Sequence, residues 1–193
     1  MKIVIFASGS GSTYLWLKQA EKEKRLEAEI LALIVDRPCG AFEKAKAQSW
    51  PAHLVHYKES PASFNAKVLS ILEGLNPDAL FLCGFLRKVA PEIIRAYQGR
   101  IFNTHPSLLP QYGGHGLYGR KVHEAVWQAR EKESGVSLHH VTENYDEGPL
   151  VAQARIKIEP QDQPVDIEEK VKNLEKYFLV EQMNLLSRQF NRS

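Results

Sequence analysis

The stretch Arg100-Ile101-Phe102-Asn103-Thr104-His105-Pro106-Ser107-Leu108-Leu109-Pro110 sets an amide, a hydroxyl and an imidazole directly after two apolar residues. Ile101 and Phe102 read as the end of a buried strand, and Pro106 and Pro110 keep the loop that follows from running on as helix or sheet. Asn103 and His105 flank Thr104, so on a strand pleat their side chains leave the same face. An amide donor beside an imidazole at the carboxyl end of a strand suits a carbonyl whose oxygen turns negative during reaction. An isolated Asn-x-His also occurs as a loop with satisfied hydrogen bonds. Other groups must converge on the pair for it to be a site.

Asp146, in the polar turn Thr142-Glu143-Asn144-Tyr145-Asp146-Glu147-Gly148-Pro149, is one candidate. Near His105 its carboxylate would raise the basicity of the imidazole and give a proton somewhere to go; alone, it would be an Asx-type turn residue. Ser8-Gly9-Ser10-Gly11-Ser12-Thr13 opens a helix-like pattern and offers backbone N–H groups at a helix N-terminus, which suits a phosphate or serves only as a tight reversal. It is neither a Walker loop nor the dinucleotide fingerprint, because Tyr14 stands where the third glycine belongs. His139 and His140 alternate on a strand, so at most one of them faces a given pocket. The histidines show no metal-ligand spacing, Ser107 lacks a G-x-S-x-G setting, and Cys83 ends a buried strand. Chemistry without a metal or a covalent intermediate is expected.

The elements that would carry these groups read as an α/β chain. Apolar runs at Lys2 to Ala7, Ala28 to Val35, Ala52 to Val55, Asp78 to Cys83 and Arg100 to Thr104 are strands. Helices fall between them, at Tyr14 to about Lys24, Ala41 to Gln48, around Phe64, Val68, Ile71 and Leu72, and from Pro91 to about Tyr97. Such a βαβαβαβαβ order predicts a Rossmann-like open, mostly parallel sheet with helices on both faces, binding ligands outside the carboxyl ends of its strands. The glycine-rich turn, Gly84 to Leu86 and Asn103 to His105 all belong there. Beyond them a Gly-rich loop, Gln111 to Gly119, precedes a helix from about Arg120 to Arg130. Strands follow at Val136 to Val141 and Leu150 to Ile158, the second with Gln153, Arg155 and Lys157 on a wet face. A long helix to Phe190 carries Ile167, Val171, Leu174, Phe178 and Leu185 as its apolar seam. One domain is expected over 1–193, with a nucleotide-phosphate half at 1–104 and a second half at 105–193.

The 193 residues are 44% apolar and 25% charged, as in ordinary globular proteins, and the net charge of +2 gives no reason to expect nucleic acid or an anionic membrane as partner. Cys39 and Cys83 make no disulfide framework, no charged-then-apolar leader opens the chain, and no apolar run approaches the ~20 residues of a membrane span. A cytoplasmic enzyme or binding protein, monomer or homodimer, is the expectation.

Taken together, IVIFASGSGS, FLCGFLRKVAPEII, IFNTHPSLLPQYGGHGLYGRKVHEAV and SGVSLHHVTENYDEGPLVAQ resemble, in order and over nearly the whole chain, the folate-dependent formyltransferase family. Asn-x-His-Pro-Ser-Leu-Leu-Pro followed about 40 residues later by Asp-x-Gly-Pro carries the resemblance most specifically. It implies transfer of the formyl group of 10-formyltetrahydrofolate, a co-substrate, to the glycinamide amine of phosphoribosylglycinamide in purine synthesis. Asn103, His105 and Asp146 stand where the family has its catalytic trio, with Asn103 and an imidazolium at His105 stabilising an oxyanion. Gly11, Ser12 and Thr13 stand at its phosphate turn. Phe85, Leu86, Arg87, Val89, Asn103 and Val141 stand where it holds the folate, and Glu175 where a carboxylate binds ribose hydroxyls.

Two positions depart from the family pattern. Thr13 replaces the usual Asn, and Glu175-Lys176-Tyr177-Phe178-Leu179-Val180 stands where a Glu-His…Tyr-Pro run is common. Other formyl-handling enzymes on the same scaffold, a folate hydrolase or a sugar-nucleotide formyltransferase, are the near alternatives. A hydrolase would carry an extra N-terminal domain and a tRNA formyltransferase a C-terminal one. A non-catalytic nucleotide-binding α/β protein is the alternative of another class, and it has little use for all three of Asn103, His105 and Asp146.

Overall fold

A computed structural model describes residues 1–57 and 60–190. The expected 1–193 domain therefore includes residues 58–59 and 191–193, which lie outside the described residues. Among the described residues seven strands form one sheet: β1 Lys2–Ala7, β2 Glu29–Val35, β3 Ala52–Leu54, β4 Ala79–Leu82, β5 Ile101–His105, β6 Glu133–His140 and β7 Leu150–Lys157. Six helices accompany them: α1 Ser12–Lys22, α2 Gly40–Ala47, α3 Pro61–Leu75, α4 Pro91–Ala96, α5 Arg120–Gln128 and α6 Pro164–Phe190. The strand order is β3-β2-β1-β4-β5-β6-β7, with β1 to β5 paired in parallel and β6 and β7 added antiparallel. The expected doubly wound sheet is the one observed.

The central strands are buried on both faces, hence their unbroken apolar runs. On one face Ile3, Ile5, Leu33, Phe81, Phe102 and Leu138 pack with α1, α2 and the second half of α6. On the other, Val4, Phe6, Ile34, Leu80 and Ile101 pack with α3 and α4. Order reverses between β1 and β4, so the turns after β1, β4 and β5 open on the same crevice.

Three details differ from the sequence reading. β5 runs one residue further than expected, through His105, so that His105 as well as Asn103 lies on the strand itself. Gln153 is not on a wet face; its side-chain amide is half-buried and donates to the Leu109 carbonyl at 2.9 Å and to Ser137 Oγ at 2.8 Å. Leu185 is 45% exposed and off the seam of α6, which instead buries Ile167 and Val171, then Phe178, Leu179, Val180, Met183 and Leu186. The 27-residue helix meets α5 as well as α1, β6 and β7, so its buried face is not a single stripe.

Candidate active site

The crevice is a cleft of about 610 Å³, and every residue singled out from the sequence lines it: Gly11, Ser12 and Thr13, Phe85, Leu86, Arg87 and Val89, Asn103, His105, Val141, Asp146 and Glu175. At one end lies the first turn of α1. Gly11 takes a left-handed φ of 74°, and a Cβ there would lie 2.5 Å from Ala41 Cα, so only glycine lets α1 begin this close to α2. The first intrahelical bond runs from the Leu15 N–H to the Gly11 carbonyl, which places the N–H groups of Ser12 and Thr13 ahead of it at the positive end of the helix. Lys44 Nζ donates to the Ser10 carbonyl at 2.9 Å and adds a cation beside the turn. That end suits an anion.

At the centre the β5–β6 register sets Asn103 opposite His139. His139 Nδ1 lies 2.9 Å from the His140 carbonyl, to which it donates, and its Nε2 is turned to the cleft. The Asn103 amide lies 3.0 Å from that Nε2, which fixes its NH2 group toward the cleft, 3.4 Å from Asp146 Oδ1. Of the two alternating histidines, His139 belongs to the cleft, while the His140 ring lies tilted against Phe102.

Asp146 sits in the β6–β7 turn at a left-handed φ of 57°, tolerated by Asp and Asn better than by other side chains. Its Oδ2 accepts from the Gly114 N–H at 2.9 Å and lies 3.4 Å from His105 Nδ1. Gly148 lets this turn close: a Cβ there would fall 1.7 Å from the His140 carbonyl oxygen. Burial pushes the Asp146 carboxyl up, but the neighbouring His139 and His105 rings and the Gly114 N–H outweigh it and hold the group below the usual carboxylate range.

His105 completes the cluster. Burial lowers its pKa, and the opposing pulls of Asp146 and of the Tyr112 carbonyl, 2.7 Å from Nε2, do not restore it. The resting imidazole is therefore neutral, with its proton on Nε2 and with Nδ1 facing Asp146.

Along the other wall of the cleft Leu86 is exposed, while the Phe85 ring packs on Phe6 and Phe64. The Arg87 guanidinium is taken up by buried Asp36, with Nε 2.7 Å from Oδ2, and lies over the Tyr57 ring. Residues 141–146 form the facing wall. Among the described residues no group of three or more His, Cys, Asp or Glu side chains could hold a metal ion, and no helix is long and apolar enough to cross a membrane.

Three contributors escaped the sequence reading: the Tyr112 carbonyl, the Gly114 N–H and Asp36. The first two are backbone groups with no side-chain signature. A fourth is the hydroxyl of Thr104, which lies on the opposite face of β5 from its neighbours.

An open α/β sheet with a turn suited to an anion at one end of its crevice and an amide–imidazole–carboxylate cluster at its centre fits the class of group-transfer enzymes. Within that class, residues 1–183 match the family described as Formyl transferase, and the chain belongs to it. It is 32% identical over 177 residues to a phosphoribosylglycinamide formyltransferase of Bacillus subtilis, covering 90% of this chain and 88% of that protein. It is 33% identical over 188 residues to the chloroplastic phosphoribosylglycinamide formyltransferase of Vigna unguiculata, covering 96% of this chain and 60% of that protein. The chain thus spans less than two thirds of the plant relative. The fold superposes on the crystal structure of phosphoribosylglycinamide formyltransferase from Bacillus halodurans with a TM-score of 0.88 and 32% identity, covering 96% and 95% of the two chains.

Proposed function

We propose that the chain transfers the formyl group of 10-formyltetrahydrofolate to the glycinamide amine of phosphoribosylglycinamide, working as one domain in the cytoplasm. The observation that carries this reading is the cluster of Asn103, His105 and Asp146 within 3.4 Å contacts, in one cleft with the anion turn at Gly11 to Thr13. Phosphate binds the N–H groups of that turn, and the ribose hydroxyls reach Glu175. The folate lies along Phe85, Leu86, Arg87 and Val89, with Val141 and the loop to Asp146 opposite.

As the amine attacks the formyl carbon, the carbonyl oxygen becomes negative and Asn103 donates to it from a position its bond to His139 has already fixed. The attacking amine must lose one proton and the departing folate nitrogen must gain one. His105, neutral at rest with a free lone pair on Nδ1, accepts that proton and becomes an imidazolium whose charge lies near the oxyanion. Asp146 stabilises this charge from 3.4 Å, and the proton then passes on to the leaving nitrogen. Holding both substrates in contact supplies much of the remaining acceleration.

The experiment is product analysis with donor carrying a labelled formyl carbon. Label in formylglycinamide ribonucleotide supports the reading. Label in formate, at a rate independent of the ribonucleotide, would identify a hydrolase, and label in neither would leave a binding protein.

A further inference from the structure

Thr104 lies between the two residues that face Asp146, and strand alternation turns its side chain to the other face of β5, toward α6. There its hydroxyl donates to Glu175 Oε1 at 2.8 Å. The hydroxyl of Thr13, in the first turn of α1, donates to Oε2 of the same carboxylate at 3.0 Å. One carboxylate on α6 thus joins the anion turn to the strand that carries Asn103 and His105.

We propose that Thr104 and Thr13 are positioning residues for the acceptor: their hydroxyls hold Glu175 where its free lone pairs accept from the ribose diol, fixing the span from phosphate turn to reacting amine. This rests on the function proposed above.

The chemistry of the contact supports it. A carboxylate has about four acceptor sites, and the two hydroxyls use one on each oxygen, leaving one on each for a vicinal pair of hydroxyl donors. Glu175 lines the cleft, within reach of an acceptor bound there. Both hydroxyls sit on β-branched side chains, which hold few rotamers, and a glutamate fixed at both oxygens before binding has little freedom left to lose. Burial raises the Glu175 carboxyl pKa, and the bonds from Thr104 and Thr13 oppose that rise, favouring the form that accepts at both oxygens. Thr13 therefore does more than omit the amide usual at its position. Its hydroxyl has a partner that the sequence did not reveal.

The test compares Thr104→Val, which keeps the shape and removes the hydroxyl, with Thr104→Ser, which keeps the hydroxyl. Each is assayed in the full chain with phosphoribosylglycinamide and with its 2,3-dideoxyribose analogue. Loss of one bond to a charged group predicts that Thr104→Val raises KM for the ribonucleotide on the order of tenfold, leaving kcat and the KM for the folate within about twofold. Thr104→Ser recovers most of that loss, and with the dideoxy analogue the Val penalty falls below about twofold. An equal penalty on both acceptors, a loss spread over kcat and the folate KM, or no rescue by Ser would overturn the bridge and leave a structural tie. Should Thr104→Val fail to fold, Thr13→Val puts the same question from α1 with the same expected pattern. A wild-type enzyme inactive with the ribonucleotide would overturn the underlying reading and the bridge with it; an active wild type with flat variants would overturn the bridge alone.

Discussion

His105 Nδ1 lies 3.4 Å from Asp146 Oδ2, across the gap between β5 and the β6–β7 turn. The two shifts run the same way for different reasons. Burial lowers the His105 pKa despite the nearby carboxylate, whereas donated bonds lower that of Asp146 despite burial. A neutral base therefore rests beside a fixed anion, and it gains a favourable charge pair only after it takes a proton.

Removing either partner should cost turnover and spare the fold. His105→Ala and Asp146→Asn are each expected to lower kcat by about 10²–10⁴ with little change in melting temperature. Asn is the informative replacement at 146, because it keeps a side chain suited to the left-handed backbone there while removing the charge. Steady-state rates with circular dichroism melts check this, and near-normal turnover in either variant would contradict it.

The protonation of His105 fixes the pH profile. Because its pKa lies below the ordinary value of ~6.5, the acid limb of kcat/KM should fall below pH ~6.5. Asp146→Asn removes an interaction that raises that pKa, so the limb of the residual activity should move further down. A limb at or above pH ~7 would mean that the carboxylate outweighs burial.

Stability should also fall on acidification, through a residue outside the trio. Burial brings the pKa of His123, on α5, down to about 4, and its Nδ1 has no hydrogen-bond partner. Between that value and ~6.5 the unfolded chain binds the proton and the folded chain does not, so stability is lost as pH falls through this window. Buried His105 and half-buried His140 push the same way. From pH 7 to pH 5 His123 should cost on the order of 1 kcal/mol, or about 2–4 °C in Tm, and His123→Gln should flatten that drop. Parallel melting curves at the two pH values would show no such difference if the ring is already charged in the fold.

Gly148→Ala tests how tightly the turn holds Asp146. An added methyl would fall 1.7 Å from the His140 carbonyl oxygen, so the turn must move and carry Asp146 away from His105. Because a displacement of about 1 Å can cost about 10² in rate, kcat should drop by at least tenfold while the sheet still forms. Unchanged kinetics would mean that the turn adapts.

Most of the fold was legible because parallel strands buried on both faces are unbroken apolar runs, and because Gly9, Gly11 and Pro91 punctuate the elements. The trio was legible for a related reason: Asn103 and His105 share a strand face whatever the register. The choice between His139 and His140 depended on the pairing of β6 with β5, which no local pattern encodes. Leu185 misled because α6 changes neighbours along its length. The Thr104–Glu175 bond joins residues 71 apart, and the resting charge of His105 follows from burial, so neither has a local signature.

The most direct test is the rate of folate product formation with and without phosphoribosylglycinamide, measured for the wild type and Asp146→Asn side by side. The account predicts ribonucleotide-dependent turnover in the wild type and a fall of at least about 10² in the variant. Turnover that ignores the ribonucleotide, or a variant as fast as the wild type, would contradict it.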